Sequence, residues 1–277
     1  MKEKLKKLKS GIELIRPLNC AMTSIAILIG YSLAEKYYLE GFSWLLAMIS
    51  GFFIAAAGNV INDFFDIETD KKVHPERPLP KREISPKMAL DTSIILFYVG
   101  IVITLPISWF CFLLAVINSV LLVIYSYSLE KKGLIGNISI SYLTSSTFIF
   151  GALVVEKISL LVALMSLMAF FAVLAREIVK DVEDIVGDKI RERRTLPMQI
   201  GKSYSLILVM IFGAIGVLIS FLPVYYGLVN YYYIVLVGVA DIFIFLGIIF
   251  GFVPYISKNF FKIGMILGLI GFLVGGV

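Results

Sequence analysis

The sequence predicts an all-α, polytopic membrane protein with about nine transmembrane helices around a central cavity. They are arranged as two pseudo-repeats of four helices preceded by an extra first helix. Three observations carry this. Of the 277 residues, 59% are hydrophobic and the mean hydropathy is +0.93, against about 45–50% apolar residues in a soluble domain. The excess lies in long runs rather than scattered, so it builds membrane spans and not a larger core. A carboxylate motif occurs twice, each time where a long apolar run gives way to a charged loop.

The chain reads as a single domain over 1–277. Its start, through residue 17, is too polar for a cleaved signal peptide, and the first apolar run is long enough to span. Leu5, Leu8, Ile12 and Ile15 fall on one helical face with lysines around it. That pattern predicts a basic helix over 1–17 lying on an anionic membrane surface. A hydrocarbon core needs about 20 apolar residues per helix. Runs at 18–35, 42–60, 88–106, 109–128, 135–155, 158–179, 203–222, 231–252 and 260–277 meet that need. They do not alternate as barrel strands do.

Charge fixes the expected orientation. With the N-terminus inside, only Lys36 and Lys157 of the 25 Lys and Arg residues lie outside. This is the positive-inside pattern, and it explains the net charge of +5 without nucleic acid as a partner. The C-terminus is then outside the cell membrane. The outward turns carry Tyr37, Tyr38, Trp44, Trp109, Tyr225, Tyr226, Tyr231, Tyr232 and Tyr233, an expected interfacial belt. Cys20 and Cys111 sit within apolar runs and read as small core residues, not as a disulfide.

Two inward loops, 61–87 and 180–202, are long and charged. The first opens on Asn59-Val-Ile-Asn62-Asp63-Phe-Phe-Asp66 and continues to Asp70. The second runs from Glu177 through Lys180 and Asp181 to Asp184 and Asp188. Both contain D-x2-D-x3-D, 118 residues apart, and both are followed by an Arg-x-Leu-Pro turn, at Arg77 and at Arg194. On a continuing helix, positions i, i+3 and i+7 fall within roughly 60° of one another. Two such faces opposed gather six carboxylates, which repel unless cations offset them. Hard oxygen ligands suit Mg²⁺, which binds through a few carboxylates together with substrate phosphates. Arg77, Arg194, Lys180, Lys131 and Lys132 stand where phosphate oxygens need charge-assisted donors. Lys71, Lys72, Lys189 and Arg191 read as ordinary inward-loop charges, and His74 as a surface residue.

With N-x2-N-D-x2-D-x3-D followed far downstream by a second D-x2-D-x3-D, on about nine helices, the chain resembles the UbiA superfamily of intramembrane prenyltransferases. The resemblance covers nearly the whole chain. It implies that Asp63, Asp66, Asp181 and Asp184 are catalytic and that Asn62, Asp63, Asp66, Asp70, Asp181, Asp184 and Asp188 hold Mg²⁺. It implies diphosphate contacts from Asn59, Arg77, Lys131, Lys132, Lys180, Arg194 and Tyr125. It further likens Arg16-Pro17-x-Asn19 to the start of the family's first span. The implied partners are a prenyl diphosphate donor, membrane lipids and a lipid-like acceptor. The short chain and compact outward turns are similar to the archaeal ether-lipid branch. That branch moves a geranylgeranyl group from geranylgeranyl diphosphate to the free hydroxyl of geranylgeranylglyceryl phosphate. An aromatic acceptor, such as 4-hydroxybenzoate or a quinone precursor, is the alternative.

Tyr125 and Tyr127 are candidates to stabilise a carbocation through their ring faces, or else simply span packing. Asp241 stands near the middle of the eighth run, where a charge is costly, either as a functional group or as a buried hydrogen-bonded one. A cation-coupled transporter places its polar residues near the midplane, whereas here nearly all lie at the inner ends. The D-G-x2-A-R signature of CDP-alcohol phosphotransferases is absent.

Overall fold

The computed structural model describes residues 2–35, 41–190 and 193–276. Lys36, Tyr37, Tyr38 and Arg191 lie outside the described residues, as does the Leu5 side chain. The protein is all-helical, and among the described residues there is no β-strand. The long helices are α2 (Pro17–Ala34), α3 (Ser43–Phe65), α5 (Pro86–Val102), α6 (Trp109–Tyr127), α7 (Leu134–Leu153), α8 (Leu160–Glu183), α11 (Lys202–Ser220), α13 (Tyr231–Ile249) and α14 (Pro254–Gly275). Short helices α1 (Lys2–Ile15), α4 (Ile67–Val73), α9 (Ile185–Ile190), α10 (Leu196–Ile200) and α12 (Leu222–Tyr225) connect or precede them.

Every apolar run of the sequence lies on one long helix. Among the described residues, seven are long and apolar enough to cross a membrane: α2, α3, α6, α8, α11, α13 and α14. Of the other two, α5 has only 17 residues. In α7, buried Ser139, Ser141, Ser145 and Ser146 lower the hydropathy. Starts are set locally. Ser85, Ser108 and Ser159 accept from the first-turn amides of Met88, Phe110 and Val162, and Asn230 caps α13 through Tyr232. Pro17, Pro86 and Pro254 stand in first turns, where a missing N–H costs nothing.

Within a bilayer, lipid is as apolar as leucine, so helices associate through close packing and hydrogen bonds. The α2–α7 pair shows this. A Cβ on Gly30 would lie 2.0 Å from the Phe148 carbonyl oxygen, and one on Gly151 would lie 2.0 Å from that of Ile27. Both obstacles are backbone, so neither can move aside cheaply. Gly151→Val is therefore expected to destabilise the protein by about 1–3 kcal/mol, read as a lower melting temperature in detergent. Serine hydroxyls fasten other pairs: Ser24 donates to the Met48 carbonyl at 2.8 Å, Ser50 to that of Gly100 at 2.8 Å and Ser166 to that of Ser145 at 2.9 Å.

A helix, α1, covers Lys2–Ile15, and Leu8 and Ile12 are exposed on it. Leu14 is buried against Val60, Leu79, Ile84 and Ala89, which fixes α1 over the first charged loop. Of the aromatic residues expected in the belt, Trp109, Tyr225, Tyr226, Tyr231 and Tyr232 are exposed, but Tyr233 is not. It is only 1% exposed and its hydroxyl donates to the Ser220 carbonyl at 2.9 Å. Three successive tyrosines turn by about 100° each on a helix, so one of them must face inward. Cys20 and Cys111 are buried free thiols, as expected.

Candidate active site

Each carboxylate motif sits across a helix break. Asp63 lies in the last turns of α3 and Asp181 in those of α8. Asp66 and Asp184 are the residues that close these helices, with φ/ψ of −91°/6° and −101°/20°. Their amides bond back to Asn62 and Lys180 at 3.0 Å each. The short helices α4 and α9 then begin. The amide of Asp70 bonds to the Asp66 carbonyl at 2.7 Å and that of Asp188 to the Asp184 carbonyl at 2.8 Å. The expectation of one continuous helix is thus corrected: i, i+3 and i+7 straddle a bend, and the bend is the same in both copies. At Gly187 a Cβ would lie 2.3 Å from an Asp184 carboxylate oxygen, so this turn folds tightly over its own acid.

Asp63, Asp66, Asp70 and Asp188 are buried. Arginines, inserted between them, meet the charge. Arg16 pairs with Asp63. Arg77 lies 2.7 Å from Asp70 and 3.6 Å from Asp63. Arg193 reaches Asp66 at 3.1 Å, Glu130 at 2.7 Å and Asp188 at 3.8 Å. Arg193 therefore joins the first motif, the turn after α6 and the second motif, and α4 lies against α9. Burial works against its charge, but Glu130, Asp66 and Asp188 outweigh it and hold the guanidinium more firmly protonated than usual. Burial, reinforced by Glu130, pushes Asp66 up to about 6 in spite of Arg193. Asn62 donates to Glu130 at 2.9 Å, and Asn137 to Asp181 at 2.9 Å.

Below this network a cavity of about 660 Å³ runs between the helices. Arg16, Asn59, Asn62, Tyr125, Glu130, Arg176, Glu177 and Lys180 line its polar end. Ile54, Leu122, Leu143, Met165, Val173 and Val217 are among its apolar walls. Asp241 lines the deeper part and accepts a 2.6 Å hydrogen bond from Ser220, so it is a paired group on the cavity wall.

The predicted residues fall into three groups. Asp63, Asp66, Asp70, Asp188, Asn62 and Arg77 belong to the network already described, and Asp181 is held by Asn137. Asn59 and Tyr125 line the cavity, Asn59 donating to the Ile15 carbonyl at 3.0 Å. Lys180 bonds to Glu177 at 3.2 Å. Lys132 and Arg194 are exposed, and Arg194 meets Lys131 only through its backbone, at 3.1 Å. The six carboxylates do not form one ligand sphere. Among the described residues no three acids stand close enough together to hold an ion, because guanidinium groups occupy the space between them. Sequence reasoning missed Arg193, Glu130 and Asn137. Glu130 had a signal, since it is an acid in an otherwise basic inward turn, and Arg193 adjoins Arg194, the arginine that recurs after both motifs.

Fold and site together define a polytopic membrane protein with an acid–arginine cluster over an apolar cavity. The UbiA prenyltransferase family model matches residues 23–250. The chain belongs to that family and is a membrane-embedded prenyltransferase. It is 40% identical over 280 residues to the digeranylgeranylglyceryl phosphate synthase of Methanococcoides burtonii, covering 97% of this chain and 100% of that one. It is 36% identical over 270 residues to the synthase of the same name from Methanopyrus kandleri, covering 96% and 98%. A solved structure concerned with digeranylgeranylglyceryl phosphate synthase in membranes superposes with a TM-score of 0.86 at 35% identity, covering 97% and 98%. A UbiA homologue from Archaeoglobus fulgidus bound to DMAPP and Mg²⁺ shares the fold, with a TM-score of 0.70 at 19% identity, covering 94% and 99%.

Proposed function

We propose that this protein transfers a geranylgeranyl group from geranylgeranyl diphosphate to the free hydroxyl of geranylgeranylglyceryl phosphate, completing the second ether chain of an archaeal lipid. The observation that carries this reading is Arg193, which ties both acidic motifs to Glu130 on the wall of an apolar cavity. The names of the relatives support the acceptor.

The chemistry of the donors fits Mg²⁺, although among the described residues the acids stand too far apart to share an ion without drawing closer. All of the donor atoms are hard oxygens, and the Asp66 Oδ1 atom is buried without a hydrogen-bond partner. Asn62, Asp63, Asp66, Asp70, Asp181, Asp184 and Asp188 would hold the ions. When bound, Mg²⁺ supplies Lewis-acid stabilisation of the leaving diphosphate. Arg77, Lys131, Lys132 and Arg194 supply donors where negative charge develops, with Asn59 and Tyr125 positioning the diphosphate. The apolar walls hold the chain extended and exclude water from the allylic carbon.

Nine spans cross the cell membrane in this reading, α5 and α7 completing the seven apolar helices within two four-helix halves. The N-terminus and the site face the cytoplasm, and the C-terminus faces outward. Purified protein given geranylgeranyl diphosphate is expected to prenylate geranylgeranylglyceryl phosphate and not 4-hydroxybenzoate; the reverse preference overturns the assignment. The raised position of Asp66 has its own consequence. The folded protein keeps that proton up to about pH 6, so an ion must displace it below that pH. Magnesium affinity is expected to fall by up to about tenfold per pH unit below 6, measured by calorimetric titration between pH 5 and 7.5.

A further inference from the structure

We propose that Arg176, Glu177 and Lys180 form the subsite for the acceptor's polar head. Arg176 and Lys180 hold its phosphate, and Glu177 takes the proton from its attacking hydroxyl. This rests on the phosphorylated acceptor argued above. The three side chains lie on the last turns of α8, at the polar end of the cavity wall. Arg176 and Lys180 are four residues apart and so share one helix face. Both are turned onto a single carboxylate. The Arg176 Nη1 atom lies 2.6 Å from Glu177 Oε1, and Lys180 Nζ lies 3.2 Å from Oε2. The Glu177 side chain is only 13% exposed.

A guanidinium and a carboxylate within a membrane helix are costly, and such groups mark ligand sites rather than structural ones. The aspartate network has its own cations in Arg16, Arg77 and Arg193. The Arg176–Glu177–Lys180 group is therefore a second charge system, beside the first and facing the same cavity. The reaction demands one. Its acceptor brings another phosphate within a few bonds of the departing diphosphate, and that charge needs separate donors. In the acceptor, hydroxyl and phosphate sit on neighbouring carbons of the glycerol. A base for the one and cations for the other must then lie within one side chain's reach, as they do on this turn.

Glu177 is the counter-ion of both cations. An arriving phosphate takes over that role through charge-assisted, bidentate bonds to Arg176. The Glu177 carboxylate is thereby released towards the hydroxyl. The glycerol oxygen bonds to C1 of the prenyl chain, and the C1–O bond to diphosphate breaks with its electron pair leaving on the diphosphate. The hydroxyl proton passes to a Glu177 oxygen.

The test compares kcat/KM for geranylgeranylglyceryl phosphate with that for geranylgeranylglycerol, using geranylgeranyl diphosphate as donor. The unmodified enzyme should favour the phosphorylated acceptor. Arg176→Met should lose at least about tenfold of that preference, through acceptor KM, with Arg176→Lys falling between. Glu177→Gln should lower kcat by about a hundredfold or more, leaving the preference for phosphate in place. Full preference in Arg176→Met, or wild-type kcat in Glu177→Gln, overturns the subsite. An unmodified enzyme that ignores the phosphorylated acceptor overturns the functional reading instead.

Discussion

Replacing Asp66 by Asn is expected to lower turnover by about a thousandfold while the protein stays folded. One carboxylate oxygen of Asp66 lies 3.1 Å from Arg193, and the other is buried with no partner. An amide has nearly the same shape, so the α3 terminus and the bend into α4 survive. It carries no charge for an ion, however, and its N–H₂ group cannot serve a guanidinium. Stability should not suffer, because burial already disfavours the ionised form. Asp181→Asn should behave alike, since Asn137 can bond to the amide oxygen as it does to the carboxylate. Turnover and a magnesium-dependent shift in melting temperature are the two readouts. Activity within tenfold of wild type in both variants removes the assignment.

Arg193→Met should have the largest effect on stability. It leaves Asp66, Glu130 and Asp188 in a buried site without their shared cation. Breaking a buried ion pair from one side costs about 3–5 kcal/mol. The loss should be greatest in EDTA and partly recovered at millimolar magnesium, because a divalent ion can take over the missing charge. Arg194→Met is the natural control. That residue is exposed, so its effect on stability should stay within about 0.5 kcal/mol. Equal destabilisation by the two changes, measured by thermal unfolding in detergent, contradicts the arrangement described.

The contrast between these neighbouring arginines shows where sequence reasoning stops. The helices were legible because a membrane span is a bulk property of some 20 residues, and single substitutions do not blur it. The two motifs were legible because the same spacing recurs after two long runs. The bend at Asp66 and Asp184 was not, since i, i+3 and i+7 suit an unbroken helix equally well. Which of Arg193 and Arg194 turns inward depends on the path of the loop and not on composition. Glu130 and Asn137 reach the site from a different stretch of chain, and no local pattern ties them to the aspartates. Arg16 was noticed for its place before the first span, and its pairing with Asp63 emerges only where α1 folds over the first loop.

A chamber that is ionic at its rim and oily along its sides sorts whatever is made inside it. The pyrophosphate released by the reaction is soluble only towards the arginines, and a twin-tailed ether lipid only towards the bilayer. The polarity of the wall thus separates the two products, the anion towards the charged end and the lipid towards the apolar sides.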